Sequence, residues 1–222
     1  MIHEGVSPPL MMLPGIDVSN WQGVIDWNQV AAGGIKFAFI KATEGGTFRD
    51  ARAAVNFEDA VAAGIIPGLY HFFRANIDPA KQVENFLSVA FDVAKSAPAL
   101  PPVLDLEDAG SCSNADLRHC VQQFVRKIDE VIGRAPIIYV SPNFWKAHLA
   151  SYKVERNLLW VAHWRVEQPR VPEGWTTWSF WQYSNKGTVK GIAGDVDLDW
   201  FNGDEAGLRA LTNTIQPADK RR

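Results

Sequence analysis

The chain has 222 residues, 47% hydrophobic and 21% charged, with a formal net charge of −3. This is the composition of an ordinary globular protein, so a disordered or fibrous chain is excluded. With no basic surplus, nucleic acid is not an expected partner. No stretch approaches the ~20 apolar residues of a membrane-spanning helix, so no membrane insertion is expected.

Residues 1–13 read as an N-terminal extension. They lack the basic and long apolar segments of a signal peptide. Gly15 to Ser19 is a predicted strand. Asp26 is placed to cap a helix over 27–32, which Gly33 and Gly34 stop. Lys36 to Ala42 is a strand, Arg49 to Ala63 a helix closed by Gly64, and Ile66 to Phe73 a strand. Asp78 followed by Pro79 opens a helix to about Lys95. Pro102 to Glu107 is a strand. Ser113 or Asn114 caps a helix that ends at Ile132 before Gly133. A strand over 136–141 and a short helix over 142–149 follow. The segments 158–163, 179–184 and 195–200 then read as strands with little helix between them.

About five strand–helix units followed by three strands predict an α/β fold, an irregular TIM-like β/α barrel. No composition shift divides the chain. One catalytic domain is expected over 14–212, with a polar tail over 213–222. In such barrels the site is built at the C-terminal strand ends. Polar residues gather there: Asp17, Ser19 and Asn20; Lys41, Thr43 and Glu44; Tyr70 and His71; Asp105 and Glu107; Tyr139 and Ser141; then Gln182 and Asp195, Asp197 and Asp199.

The sharpest of these ends is PPVLDLEDAG, residues 101–110, where an apolar run finishes in acids. Burying a carboxylate is costly unless it is paired or hydrogen-bonded. Asp105 and Glu107 point the same way on a strand, with Cα atoms about 6.6 Å apart. Each raises the other's proton affinity. Cleavage of a glycosidic bond needs such a pair. Glu107 has the longer reach and lies nearer the strand end, so it is assigned the proton donor. Asp105, deeper, is expected to stay ionised. Side-chain rotamers leave retention and inversion both open, and a substrate acetamide oriented by the deeper acid is a third route.

Other chemistries find less support. The run from Asp195 to Asp199 has Trp200 and Ala206 where a calcium loop needs Gly and Glu. Cys112 and Cys120 fit no zinc spacing, and no metal is assigned. They are too few for a disulfide framework. His71 and His163 read as structural histidines. No nucleotide-binding loop or nucleophile elbow occurs, and no cofactor is required. Seven of the nine tryptophans follow Ser141. Each is either core or a platform for sugar rings.

The ordered blocks GIDVSNWQG (15–23), FIKATEG (39–45), GLYHFF (68–73), PPVLDLE (101–107), PIIYVSPNFW (136–145), LWVAHW (159–164), WQYS (181–184) and VDLDWF (196–201) resemble glycoside hydrolase family 25. These are the Chalaropsis-type lysozymes, among them many phage endolysins. The likeness spans residues 14–202. It implies cleavage of the β-1,4 bond between N-acetylmuramic acid and N-acetylglucosamine in peptidoglycan, with acetamido-assisted retention. It implies Glu107 as acid/base, Asp105 as its partner, and Asp17 and Asp197 as further groove acids. Tyr70, Tyr139, Trp160, Trp181 and Gln182 fall at substrate-lining positions, and Glu44 lies in the ATEG block. Asp199 stands where the family often has Asn. A monomer acting on the bacterial wall is implied, reaching it through a separate membrane pore or as a secreted form without its leader. A chitinase-like hydrolase and a non-catalytic wall-binding module are the alternatives.

Overall fold

A computed structural model of the chain describes residues 12–95 and 97–218. The expectations for residues 1–11 and 219–222 lie outside the described residues. Strands form where apolar residues alternate or run together: β1 (Met12–Val18), β2 (Phe37–Glu44), β3 (Phe48–Arg49), β4 (Ile66–Phe72), β5 (Val103–Leu106), β6 (Ile137–Val140), β7 (Leu159–Ala162), β8 (Phe180–Gly187) and β9 (Val196–Asn202). All but β3 form a closed ring in the order β1, β2, β4, β5, β6, β7, β8, β9. Neighbours are parallel from β1 round to β8. β9 is antiparallel to both β8 and β1 and closes the ring. Its N-terminal end therefore lies beside the C-terminal ends of the others.

The helices are α1 (Trp27–Ala32), α2 (Ala53–Ala62), α3 (Pro79–Val93), α4 (Asn114–Ile132), α5 (Pro142–Phe144) and α6 (Glu205–Ala210), with α5 running into a π-helical turn over Trp145–Leu149. Side-chain caps set their starts. Asp26 accepts from the Gln29 N–H at 3.1 Å, Asp78 from Ala80 at 2.8 Å and Ser113 from Asp116 at 3.1 Å. Gly133, at φ 71°, ends α4 in the left-handed conformation that glycine adopts without steric cost.

Two apolar clusters follow from the two faces of the strands. The larger joins the outward faces to the helices. The smaller fills the barrel, with Phe37, Phe39, Ile137, Trp160, Phe180 and Phe201 among its members. Phe39 stacks on Trp160 at 4.3 Å and meets Phe180 edge-on at 5.0 Å. These rings fit because Gly15 and Gly68 face them. A Cβ on Gly15 would lie 2.2 Å from the Phe37 ring, and one on Gly68 would lie 2.6 Å from Phe39. The barrel interior is thus a packed floor on which a polar site can rest.

Several boundaries differ from the sequence reading. Met12 and Leu13 pair with Asn202 and Phe201, so β1 starts before residue 14. The helix expected from Arg49 starts at Ala53. Phe48 and Arg49 pair instead with β2, and Asp50 turns the chain by accepting from the Arg52 N–H at 2.8 Å. Asn213 bridges to Ala99, and Ile215 is buried, so the expected tail packs on the domain as far as that residue. α6 had no counterpart in the sequence reading.

Candidate active site

The polar layer above the aromatic floor opens into a cleft of about 430 Å³ at the mouth of the barrel. Successive inward positions supply it: Asp17 from β1, Lys41 from β2, Tyr70 from β4, Asp105 and Glu107 at the end of β5, Tyr139 from β6, Trp160 from β7, Gln182 from β8 and Asp197 from β9. The lining holds five carboxylates, counting Asp195, against the single cation Lys41. Lys41 is buried, and its Nζ donates to Glu44 Oε2 at 2.7 Å.

This crowding sets the proton affinities. Burial, then the charge of Glu107, pushes the Asp105 pKa well above the usual carboxylate range. Burial also raises Glu107, against a hydrogen bond with Asp105 and the nearby charge of Lys41. Glu107 is exposed to solvent at the mouth and lines the cleft. Both carboxyls of the pair thus bind a proton more tightly than ordinary carboxylates, the deeper Asp105 the more strongly. Asp105 Oδ1 is buried and has no protein hydrogen-bond partner.

The opposite wall repeats the pattern. Burial, and then Asp197 and Asp199, raise Asp17 strongly. Burial raises Asp197 to about 6. Gln182 organises this wall: its Nε2 donates to Asp17 Oδ2 at 2.7 Å, and its Oε1 accepts from the Tyr139 hydroxyl and from Trp164 Nε1, both at 2.9 Å. Asp199 lies deeper, fully buried, and accepts from Trp160 Nε1 at 2.8 Å. Because β9 runs antiparallel, Asp197 is near the mouth and Asp199 is in the floor.

Two of the expected substrate-lining residues sit elsewhere. Trp181 faces away from the barrel, because its neighbour Gln182 faces in and adjacent strand residues point to opposite faces. It is buried against Trp178 and Tyr183 and donates to the His163 carbonyl at 2.8 Å. Glu44 leaves the cleft lining and joins Lys41 to Arg74, which reaches Asp108 at 2.7 Å. It steadies Lys41 from behind. His71 is fully buried between Thr43 Oγ1, at 2.7 Å, and Gln82 Oε1, at 3.1 Å. Burial lowers its pKa to about 4, so it stays neutral in place.

Sequence reasoning placed Lys41 at a strand end but gave it no role, and it assigned none to Trp21, Trp164 or Asn185; all four line the cleft. Lys41 follows Phe37 and Phe39 at spacing two, a signal that it faces inward. Trp21 and Trp164 are in loops, where no periodicity marks them. Trp21 is 85% exposed and Trp164 42% exposed. Trp21 is held on a 3-10 turn, Asn20–Gln22. Gln22 Oε1 accepts from the Ser19 N–H, and Asp50 accepts from the Asn20 N–H, both at 2.8 Å. Among the described residues, no group of three or more His, Cys, Asp and Glu side chains is arranged to hold a metal ion. Cys112 and Cys120 are free thiols.

The family model described as glycosyl hydrolases family 25 matches residues 16–192. Lysozyme M1 of Streptomyces globisporus is 40% identical over 208 residues, covering 90% of this chain and 71% of that protein. The crystal structure of a lysozyme from Streptomyces coelicolor superposes with a TM-score of 0.80 at 38% identity, over 90% of this chain and 96% of that one. A family GH25 lysozyme from Aspergillus fumigatus gives 0.81 at 28% identity, over 90% and 98%.

Proposed function

The chain belongs to glycosyl hydrolases family 25 and is a peptidoglycan hydrolase of the lysozyme type; from that premise we propose that it cuts the glycan with net retention, Glu107 serving as acid and base and Asp105 as the orienting group. The observation that carries the reading is the Asp105–Glu107 pair at the mouth of the barrel, both with raised proton affinity and with one buried, unpartnered Asp105 oxygen. Asp105 Oδ1 is free to accept the N–H of the acetamido group on muramic acid. That contact favours ionised Asp105 and leaves the proton on Glu107.

Glu107 then protonates the glycosidic oxygen, and the bond to the anomeric carbon breaks. The acetamido oxygen closes onto that carbon from the opposite face. Water opens the cyclic intermediate while Glu107 takes back a proton. Asp17 and Asp197 face the developing positive charge from the other wall. The charge of Asp197, ionised above about pH 6 with the strongly raised Asp17 hydrogen-bonded beside it, stabilises the transition state more than the neutral ground state. Trp21 and Trp164 give stacking surfaces along the mouth, and Tyr70 lines it. One chain supplies the whole cleft lining, which supports the reading of a monomer acting at the bacterial wall. The test is the configuration of the first product by NMR. The β-anomer, relaxing slowly to the equilibrium mixture, is expected; initial release of the α-anomer would overturn retention and the role given to Asp105.

A further inference from the structure

A second hollow of about 540 Å³ adjoins the cleft and shares Glu107, Tyr139, Trp164 and Asn185 with it. Its charge is reversed. Glu107 is its one acid, and its walls include Arg165 and Lys186. His163 also lines it, but burial lowers the His163 pKa, so the positive charge belongs to the other two. Elsewhere on the surface Arg74, Lys95, Arg156 and Arg209 are ion-paired. Arg165 and Lys186 have no such partner among the described residues; Lys146, Lys153 and Lys190 also lack one, so what sets these two apart is the hollow they line.

Arg165 is also the one described non-glycine residue with a left-handed backbone, at φ 58°. L side chains rarely adopt that region. The loop that imposes it is clamped. The His163 N–H donates to the Gln182 carbonyl at 3.1 Å, and His163 Nδ1 accepts from the Arg170 N–H at 3.1 Å. Arg170 Nη2 donates to Asn143 Oδ1 at 2.6 Å, on the wall of the same hollow. A rigid loop thus holds a cation beside a hollow with no anion of its own except Glu107.

Asp105 lines only the first cleft. On the muramidase reading the sugar whose acetamido group it orients lies there, and the hollow beyond Glu107 faces the leaving side, with N-acetylglucosamine first and the next muramic acid after it. We infer that this hollow binds the carboxylates of the peptide stem carried by the muramic acid on the leaving side, with Arg165 and Lys186 as its specificity-determining cations. The inference rests on the muramidase reading above. It makes the enzyme selective for stem-bearing over bare glycan.

The test compares kcat/KM on glycan strands with intact stems against strands stripped of stems by an amidase. Wild type should prefer the stem-bearing strands by about tenfold, a modest figure for exposed charge pairs. The preference should collapse toward unity in Arg165→Asn/Lys186→Gln and in high salt. Asn tolerates the left-handed backbone at 165. Lys186→Arg, which keeps the charge, should retain it. An unchanged preference in the double variant, or its loss in Lys186→Arg, overturns the inference while leaving the muramidase reading intact. A preference removed by stripping wall phosphates, and not by removing stems, overturns the stem assignment. Failure of wild type to cut either substrate overturns both.

Discussion

Replacing Asp197 by Asn should stabilise the protein and impair it. Asp197 sits in a wall of carboxylates, and burial raises its pKa from 3.8 to about 6. The folded state therefore binds this proton more tightly than the unfolded chain does. Stability linked to Asp197 is full below pH 3.8 and is lost as pH rises through 6. The shift of about two units corresponds to about 3 kcal/mol at neutral pH, at about 1.4 kcal/mol per unit. Asn carries no charge at any pH, so the variant escapes the penalty. For a domain of this size the gain is about 6–12 °C in melting temperature. Calorimetry of both proteins at pH 4 and pH 7.5 reads it. The curves should nearly coincide at the lower pH and separate at the higher, while kcat/KM on peptidoglycan falls. An equal gain at both pH values, or a less stable variant at pH 7.5, would refute the electrostatic account of this wall.

Trp21→Ala should raise KM by about fivefold with a smaller change in kcat, because an exposed ring on a fixed turn contributes stacking of order 1 kcal/mol. Steady-state kinetics on soluble glycan strands decides it; an unchanged KM removes Trp21 from the binding surface. Gly15→Ala drives a Cβ to 2.2 Å from the buried Phe37 ring. It should cost about 1–3 kcal/mol, read from the urea midpoint. An unaffected midpoint would mean that the barrel floor is looser than its ring contacts indicate.

The barrel was legible because its signals are local and periodic. Val103 to Glu107, with an inward face at 103, 105 and 107, presents both catalytic carboxyls of the proposal from one short strand. The same reasoning needed only to be applied strictly at Trp181 and Gln182. Neighbours on a strand cannot both face the cleft, and the buried tryptophan took the outer face. The direction of β9 was not legible. Alternation in DVDLDW is the same read either way, and only the pairing with β1 and β8 places Asp197 at the mouth and Asp199 in the floor. Trp21, Trp164 and Arg165 lie in loops whose positions depend on long-range hydrogen bonds. Asp50 to Asn20 and Trp164 to Gln182 are examples, and no sequence period encodes them.

The central claim is that Glu107 cuts the bond on the far side of muramic acid. Its most direct test is mass spectrometry of the fragments released from purified peptidoglycan by wild type and by Glu107→Gln. Wild type should release fragments ending in reducing muramic acid, and the variant, folded to the same melting temperature or higher, should release them about 10²–10⁴ times more slowly. Fragments ending in N-acetylglucosamine, or equal release by the variant, would contradict it.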